Sequence, residues 1–297
     1  MGTAWACLGS TAITAALLPW FPERSAPAVT LALTGASIGG MVFVPLLVAI
    51  GQARGFVAAT AAGASALFLV ALPLAALVVR HSDDPLRQTA RRPEASGRAW
   101  SRAETLRTRR FWTLSLSFGL ALVAQVGFIV HQLAFLEPTL GHIQAALAVS
   151  ATTVSALLGR VVAGALADRM DQRVLSAAIF AVQAAALAAM AVSTAPATLY
   201  AGSVAFGLGV GNVITLPPLL AHAEFGARSF ATVFGMASAA IQIGVAIGPG
   251  LVGVLRDATG GYAVAVAVLA ALDALAVAGV LWGRRDGAAF DRPTANG

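Results

Sequence analysis

Residues 111–135 read FWTLSLSFGLALVAQVGFIVHQLAF, a run of twenty-five positions without a single Asp, Glu, Lys or Arg. As an α-helix it is about 37 Å long, enough to cross a bilayer core of about 30 Å. A barrel strand would be about ten residues long and would alternate in polarity, and this run does neither. Eight further stretches share its character, at 4–21, 26–51, 55–79, 143–166, 174–192, 197–222, 230–255 and 261–282. The predicted fold class is therefore all-α: a polytopic membrane protein with nine transmembrane helices.

Composition agrees. Hydrophobic residues make up 58% of the chain and charged residues 11%, with mean hydropathy +0.82. A soluble domain is about 25% charged, and water would leave this much apolar surface uncovered. Backbone groups in lipid must find partners inside the chain, which helices provide.

All basic residues are arginine, and the net charge is +6. Such a balance can mark a nucleic-acid binder, but the placement of the charges points to a membrane. If the loop 80–110 is cytoplasmic, alternation of the nine spans puts sixteen arginines inside, only Arg54 and Arg256 outside, and Arg160 within a span. Arginine collects in cytoplasmic loops, so the C-terminus is expected in the cytoplasm, the N-terminus outside, and the chain in a bacterial-type inner or plasma membrane. The one cysteine, Cys7, excludes an internal disulfide. Residues 1–20 lack the basic start and cleavage site of a signal peptide.

The segment 80–110 carries nine arginines, with Pro85, Pro93 and Gly97 opposing one continuous helix. Residues 100–110 suit a short basic helix against anionic headgroups, or a solvated linker. The linker divides the spans three before and six after. The expected organisation is a partial helix bundle over 1–80, a basic linker over 81–110, a six-helix bundle over 111–283 and a tail over 284–297. Transporters commonly pair two six-helix bundles, so the arrangement predicts that three N-terminal helices are lacking.

Gly35 and Gly39 form a G-x-x-x-G, as do Gly244 and Gly248, a spacing that lets helix backbones approach closely in lipid. Gly248-Pro249-Gly250 predicts a kink and a hinge, because proline removes a backbone donor. Pro217-Pro218 predicts a helix break exposing carbonyls near Asn212 and Thr215. The run Gly207-Leu208-Gly209-Val210-Gly211 lies mid-span with no strand before it and is not a nucleotide loop.

Three segments carry a family resemblance. Gly159-Arg160-Val161-Val162-Ala163-Gly164-Ala165-Leu166-Ala167-Asp168-Arg169 resembles the G-x-x-x-D-R loop of the major facilitator superfamily, although the later glycine of that motif is missing and Met170-Asp171-Gln172-Arg173 follows. The sequence from Gly248-Pro249-Gly250 to Thr259-Gly260-Gly261-Tyr262 resembles the eleventh-helix ending of the monocarboxylate-porter and oxalate/formate-antiporter-like branch. Trp20-Phe21-Pro22-Glu23-Arg24 resembles that branch's loop between helices four and five. The resemblance spans helices four to twelve and implies two bundles around a central cavity, with alternating access by rocking. It implies that Gly164, Asp168 and Arg169 form a cytoplasmic latch.

Arg160 lies about six residues, or roughly 9 Å, inside its span. A charge at that depth faces a cavity or partner, or snorkels to the interface. The branch carries a carboxylate-binding arginine at this place, and a guanidinium fork suits a carboxylate. The branch's proton-coupled porters have an aspartate one turn earlier, where Ala156 stands, and the second cation of the oxalate/formate type falls near Gln242. The candidate substrate residues are Arg160, Gln242, Gln125 and Asn212; for the glutamines an interhelical hydrogen bond is the alternative role. His131, near the outer end of its span, and Asp273, at the centre of the last, are candidates for a coupling proton. For Asp273 the alternative is a protonated or hydrogen-bonded residue of the bundle.

These readings predict a secondary transporter of small organic anions, with membrane lipid around it and no cofactor, metal or nucleic acid. The alternatives are an exporter of hydrophobic compounds, in which Arg160 is structural, and a non-transporting remnant. The four histidines have no metal-site spacing and no nucleophile–base pair is evident, so nothing argues for an enzyme.

Overall fold

The computed structural model describes residues 50–81, 99–167 and 169–284, with isolated helical positions at 13, 31, 32, 35, 39, 43, 46 and 47. Of the expected span at 4–21 only residue 13 is described, and most of the span at 26–51 also lies outside the described residues. Helix α1, Phe56–His81, coincides with the third expected span.

The short helix α2, Arg102–Arg107, begins with a capping box, in which Ser101 Oγ accepts from Glu104 N–H and Glu104 Oε2 accepts from Ser101 N–H. Five long helices follow in the described residues: α3, Arg109–Leu140; α4, His142–Ala167; α5, Gln172–Val192; α7, Asn212–Thr259; and α8, Tyr262–Arg284. Helix α6, Pro196–Val210, leads into α7 across a single turn residue, Gly211. The apolar stretch Pro196–Thr259 spans 64 residues. Unbroken, it would measure about 96 Å, some three bilayer thicknesses.

Gly226 breaks it. Its φ of 75° and ψ of 165° belong to a region that only glycine adopts readily. The chain turns there and returns, so α6 with the first arm of α7 makes one crossing and the second arm makes the next. All six spans expected after the linker thus have helices, and their ends alternate between an arginine-rich side and an opposite side.

One expectation about breaks is corrected: Pro217 and Pro218 lie buried inside α7 without ending it. Pro249, with Gly248 and Gly250, likewise lies within the helix. Proline takes one donor from a helix and leaves the remaining ladder intact, and in lipid each retained bond is worth keeping. A reversal needs a left-handed residue, which Gly226 supplies.

The glycine spacing does bring backbones together. A Cβ on Gly244 would come within 2.5 Å of the Gly119 carbonyl oxygen, and one on Gly248 within 2.6 Å of the Val123 carbonyl oxygen. The second arm of α7 therefore lies directly on the backbone of α3. We expect Gly248→Ala to destabilise the bundle by about 1–3 kcal/mol through overpacking. Gly253→Ala, where the space is open, should be neutral or stabilising by about 0.5–1 kcal/mol. Thermal unfolding midpoints of the detergent-purified variants check both.

Candidate functional site

Arg160 is buried on α4, 8% exposed. Its seat is made by glycines. A Cβ on Gly159 would strike the Leu208 carbonyl oxygen, and one on Gly207 would strike Ser155 Oγ and the Thr152 carbonyl. Gly211 leaves room for Arg160 itself, since a Cβ there would lie 2.6 Å from Arg160 Nε. The glycine run at 207–211 thus lets α4 and α6 pack backbone to backbone, with the guanidinium stem against the α6–α7 turn. Asn212 belongs to the same place: its Nδ2 donates to the Gly159 carbonyl at 3.1 Å and to the Leu208 carbonyl at 2.9 Å.

The other two candidate substrate residues stand elsewhere. Gln125 is buried on α3, and its Oε1 accepts from Gln183 Nε2 at 3.3 Å, an interhelical bond to α5. Gln183 also donates to the Phe206 carbonyl on α6 at 3.4 Å. Gln242 is exposed on the second arm of α7. A second interhelical knot escaped the sequence reading. Gln132 on α3 donates to Thr152 on α4 at 2.7 Å, and Thr152 donates to the Ser203 carbonyl on α6 at 3.0 Å.

His131 is half-buried at the end away from the arginines. It joins three helices: its Nε2 lies 3.2 Å from the Pro249 carbonyl of α7, and the Tyr262 hydroxyl of α8 lies 3.5 Å from Nδ1. A carbonyl only accepts, so Nε2 carries the hydrogen of that bond. His131 therefore holds the proline segment rather than meeting water alone. Asp273 is 0% exposed on α8, and no donor among the described residues reaches either of its carboxyl oxygens.

The most elaborate charged cluster lies at the arginine-rich end. Arg173, in the first turn of α5 and 3% exposed, forks onto Glu224 near the end of the first arm of α7, with Nη2–Oε2 at 2.9 Å and Nε on Oε1. Its Nη1 donates to Thr113 Oγ1 on α3 and to the Val280 carbonyl on α8, each at 3.0 Å. One guanidinium so ties four helices. Asp171 caps α5, accepting from the N–H groups of Arg173 and Val174, and pairs with Arg284 at 3.0 Å. Of the expected latch, Asp168 lies outside the described residues. Gly164 is buried near the end of α4, and Arg169 follows in the exposed turn.

The linker reaches the same end. Trp100 N–H donates to Ser229 Oγ at 2.8 Å, and its ring meets Phe225 edge-on at 5.6 Å. Trp100 thus brackets the Gly226 corner, two residues from Glu224.

No curated protein sequence matches the chain. The family model described as Major Facilitator Superfamily matches residues 126–296. The chain belongs to the major facilitator superfamily. Among solved structures it is similar to a point variant of the Escherichia coli fucose:proton symporter FucP, with a TM-score of 0.68 and 17% identity, over 92% of this chain and 73% of that one. A second FucP structure, titled as a transporter of this superfamily in the outward conformation, gives the same score and identity over 92% and 72%. At 17% identity the likeness speaks for the fold alone. A member of this superfamily with this fold is an integral membrane transporter.

Within this superfamily bundle the Arg173–Glu224 pair is buried enough to matter. Removing one partner strands the other's charge, at a cost of about 3–5 kcal/mol. Glu224→Ala should lower the thermal unfolding midpoint sharply, and adding Arg173→Met should recover part of the loss. An unchanged midpoint in Glu224→Ala alone would show that the pair contributes nothing.

Proposed function

We propose that the protein is a secondary transporter of small organic anions, monocarboxylate-like in size and charge, working by alternating access. The observation that carries this reading is Arg160: a cation buried in a membrane-crossing helix, at the break between α6 and α7, beside the amide of Asn212. Its fork can hold both oxygens of a carboxylate. Gln125 and Gln242 are the further polar groups assigned to the substrate path. The exposed position of Gln242 on α7 supports its part, whereas Gln125 must share its oxygen with Gln183.

The arginine-rich end is assigned to the cytoplasm, on the sixteen-to-two partition of arginines, and the C-terminus with it. There the Arg173–Glu224 tie extends the latch first placed at Gly164, Asp168 and Arg169. Rocking would bend the second arm of α7 at Gly248-Pro249-Gly250, where His131 holds the Pro249 carbonyl. His131 and Asp273 are the residues assigned to a coupling proton. The structural neighbour FucP is a proton symporter, which is compatible with such coupling and says nothing of this chain's substrate.

The close packing of Arg160 on Gly211 also favours a second reading, in which Arg160 is structural and the protein exports hydrophobic compounds. Proteoliposomes separate the two. Uptake of labelled short monocarboxylates should fall about tenfold or more in Arg160→Ala. Arg160→Lys should recover only part of it, because an ammonium cannot fork. No carboxylate uptake by the correctly inserted wild-type chain would sink the anion reading, and dye export unaffected by Arg160→Ala would favour the exporter.

A further inference from the structure

Asp273 sits on the buried stripe of α8, with Ala270 and Ala276 on either side. The same stripe continues to Val280, whose carbonyl accepts from Arg173 on α5, and to Gly283, which lies on Thr113 of α3 and on Arg173. Gly279, beside this stripe, lies on Ser117 of α3. Asp273 is therefore inside the wedge where α8 meets α3 and α5, away from solvent and lipid alike.

The charged and titratable groups on the packed elements all stand at its two ends. Towards the arginine-rich end are Arg109 and Arg110 of α3, Asp171 and Arg173 of α5, Glu224 and Arg228 of α7, and Arg284 of α8. Arg173 reaches α8 at Val280, seven residues and about 10 Å along the helix from Asp273. Towards the other end are His131 and Glu137 of α3, Arg256 and Asp257 of α7, and Tyr262 of α8. Tyr262 is eleven residues and about 16 Å away along α8. His222 lies on the first arm of α7. An ionised carboxylate that no donor or counter-charge among the described residues reaches is untenable in such a place, whereas a neutral acid is tolerated.

We propose that Asp273 is a proton-binding site, occupied while α3, α5 and α8 are packed together and emptied only when that wedge opens. The proposal rests on the transporter reading and deepens it, naming the proton as the ligand that distinguishes two conformations of the bundle. The step is a simple one: the carboxyl O–H bond breaks, the proton leaves to water admitted by the opening, and the carboxylate stays.

The wedge can be locked to test this. A Cβ on Gly279 lies 3.7 Å from Ser117 Cβ, within the 3.5–4.5 Å that a disulfide needs. The full chain is prepared as Cys7→Ser with Ser117→Cys and Gly279→Cys, reduced or oxidised, in lipid nanodiscs. Infrared difference spectra then follow the carbonyl stretch of protonated carboxyl groups as pH rises. Near neutrality, where exposed acids are ionised, a band should appear that Asp273→Asn lacks. The reduced protein should lose this band at alkaline pH, and the oxidised protein should keep it. Should Asp273→Asn fail to assemble, isotope labelling of the aspartate carboxyls assigns the band in the intact chain. Absence of the band, its persistence in both forms, or its identical loss from both would each overturn the proposal. The readout needs no substrate, so its failure leaves the carboxylate reading standing, and failure of carboxylate uptake leaves the proton site standing.

Discussion

Lipid gives helices no hydrophobic reason to associate, because its tails are as apolar as leucine. What joins the bundle must therefore be close contact, hydrogen bonding and charge. The structure uses all three, each at its own depth. Backbone contact over glycine holds α3 to the second arm of α7 at Gly244 and Gly248, and α4 to α6 at Gly159 and Gly207. Side-chain amides join helices in the interior, through Gln183 to Gln125 and Gln132 to Thr152. At the arginine-rich end one guanidinium, that of Arg173, gathers α3, α5, α7 and α8.

This division of labour bears on transport. A bundle that rocks as a unit needs stiff internal joints and a few places free to change. The glycine contacts and amide knots are the stiff joints. The candidates for change are the Gly226 corner bracketed by Trp100 and Ser229, the proline segment held by His131, Arg160 against the turn at Gly211, and the wedge of α3, α5 and α8 that encloses Asp273. Arg160 and Asn212 come together through the α4–α6 contact, so a substrate held there would report directly on how those helices lie.

Much of this was legible beforehand. The all-helical, apolar character of the chain after the linker followed from the length of its runs and their few charges, and the Gly244–Gly248 spacing foretold a close helix contact. The turns were harder. Proline drew the eye to 217–218 and 249, but proline alone does not reverse a helix, and Gly226 gave no sign in composition. Arg173 and Glu224 were missed for another reason. Arg173 was counted among many loop arginines as a topology signal, and its partner lies 51 residues away, a pairing that local spacing cannot reveal. The loss of the family's later glycine was visible in Met170-Asp171-Gln172-Arg173, but only the structure gave Asp171 the capping role on α5.

The whole account requires the chain to be threaded through lipid with its arginine-rich ends on the cytoplasmic side. Ala227 and Ala258 lie exposed near opposite ends of the second arm of α7 and offer the most direct test. On a Cys7→Ser background, single cysteines at these two positions are treated with a membrane-impermeant maleimide in intact cells. Ala258→Cys should react at once, and Ala227→Cys only after the membrane is opened. Equal labelling of both positions without permeabilisation, or the reverse order, would contradict the account.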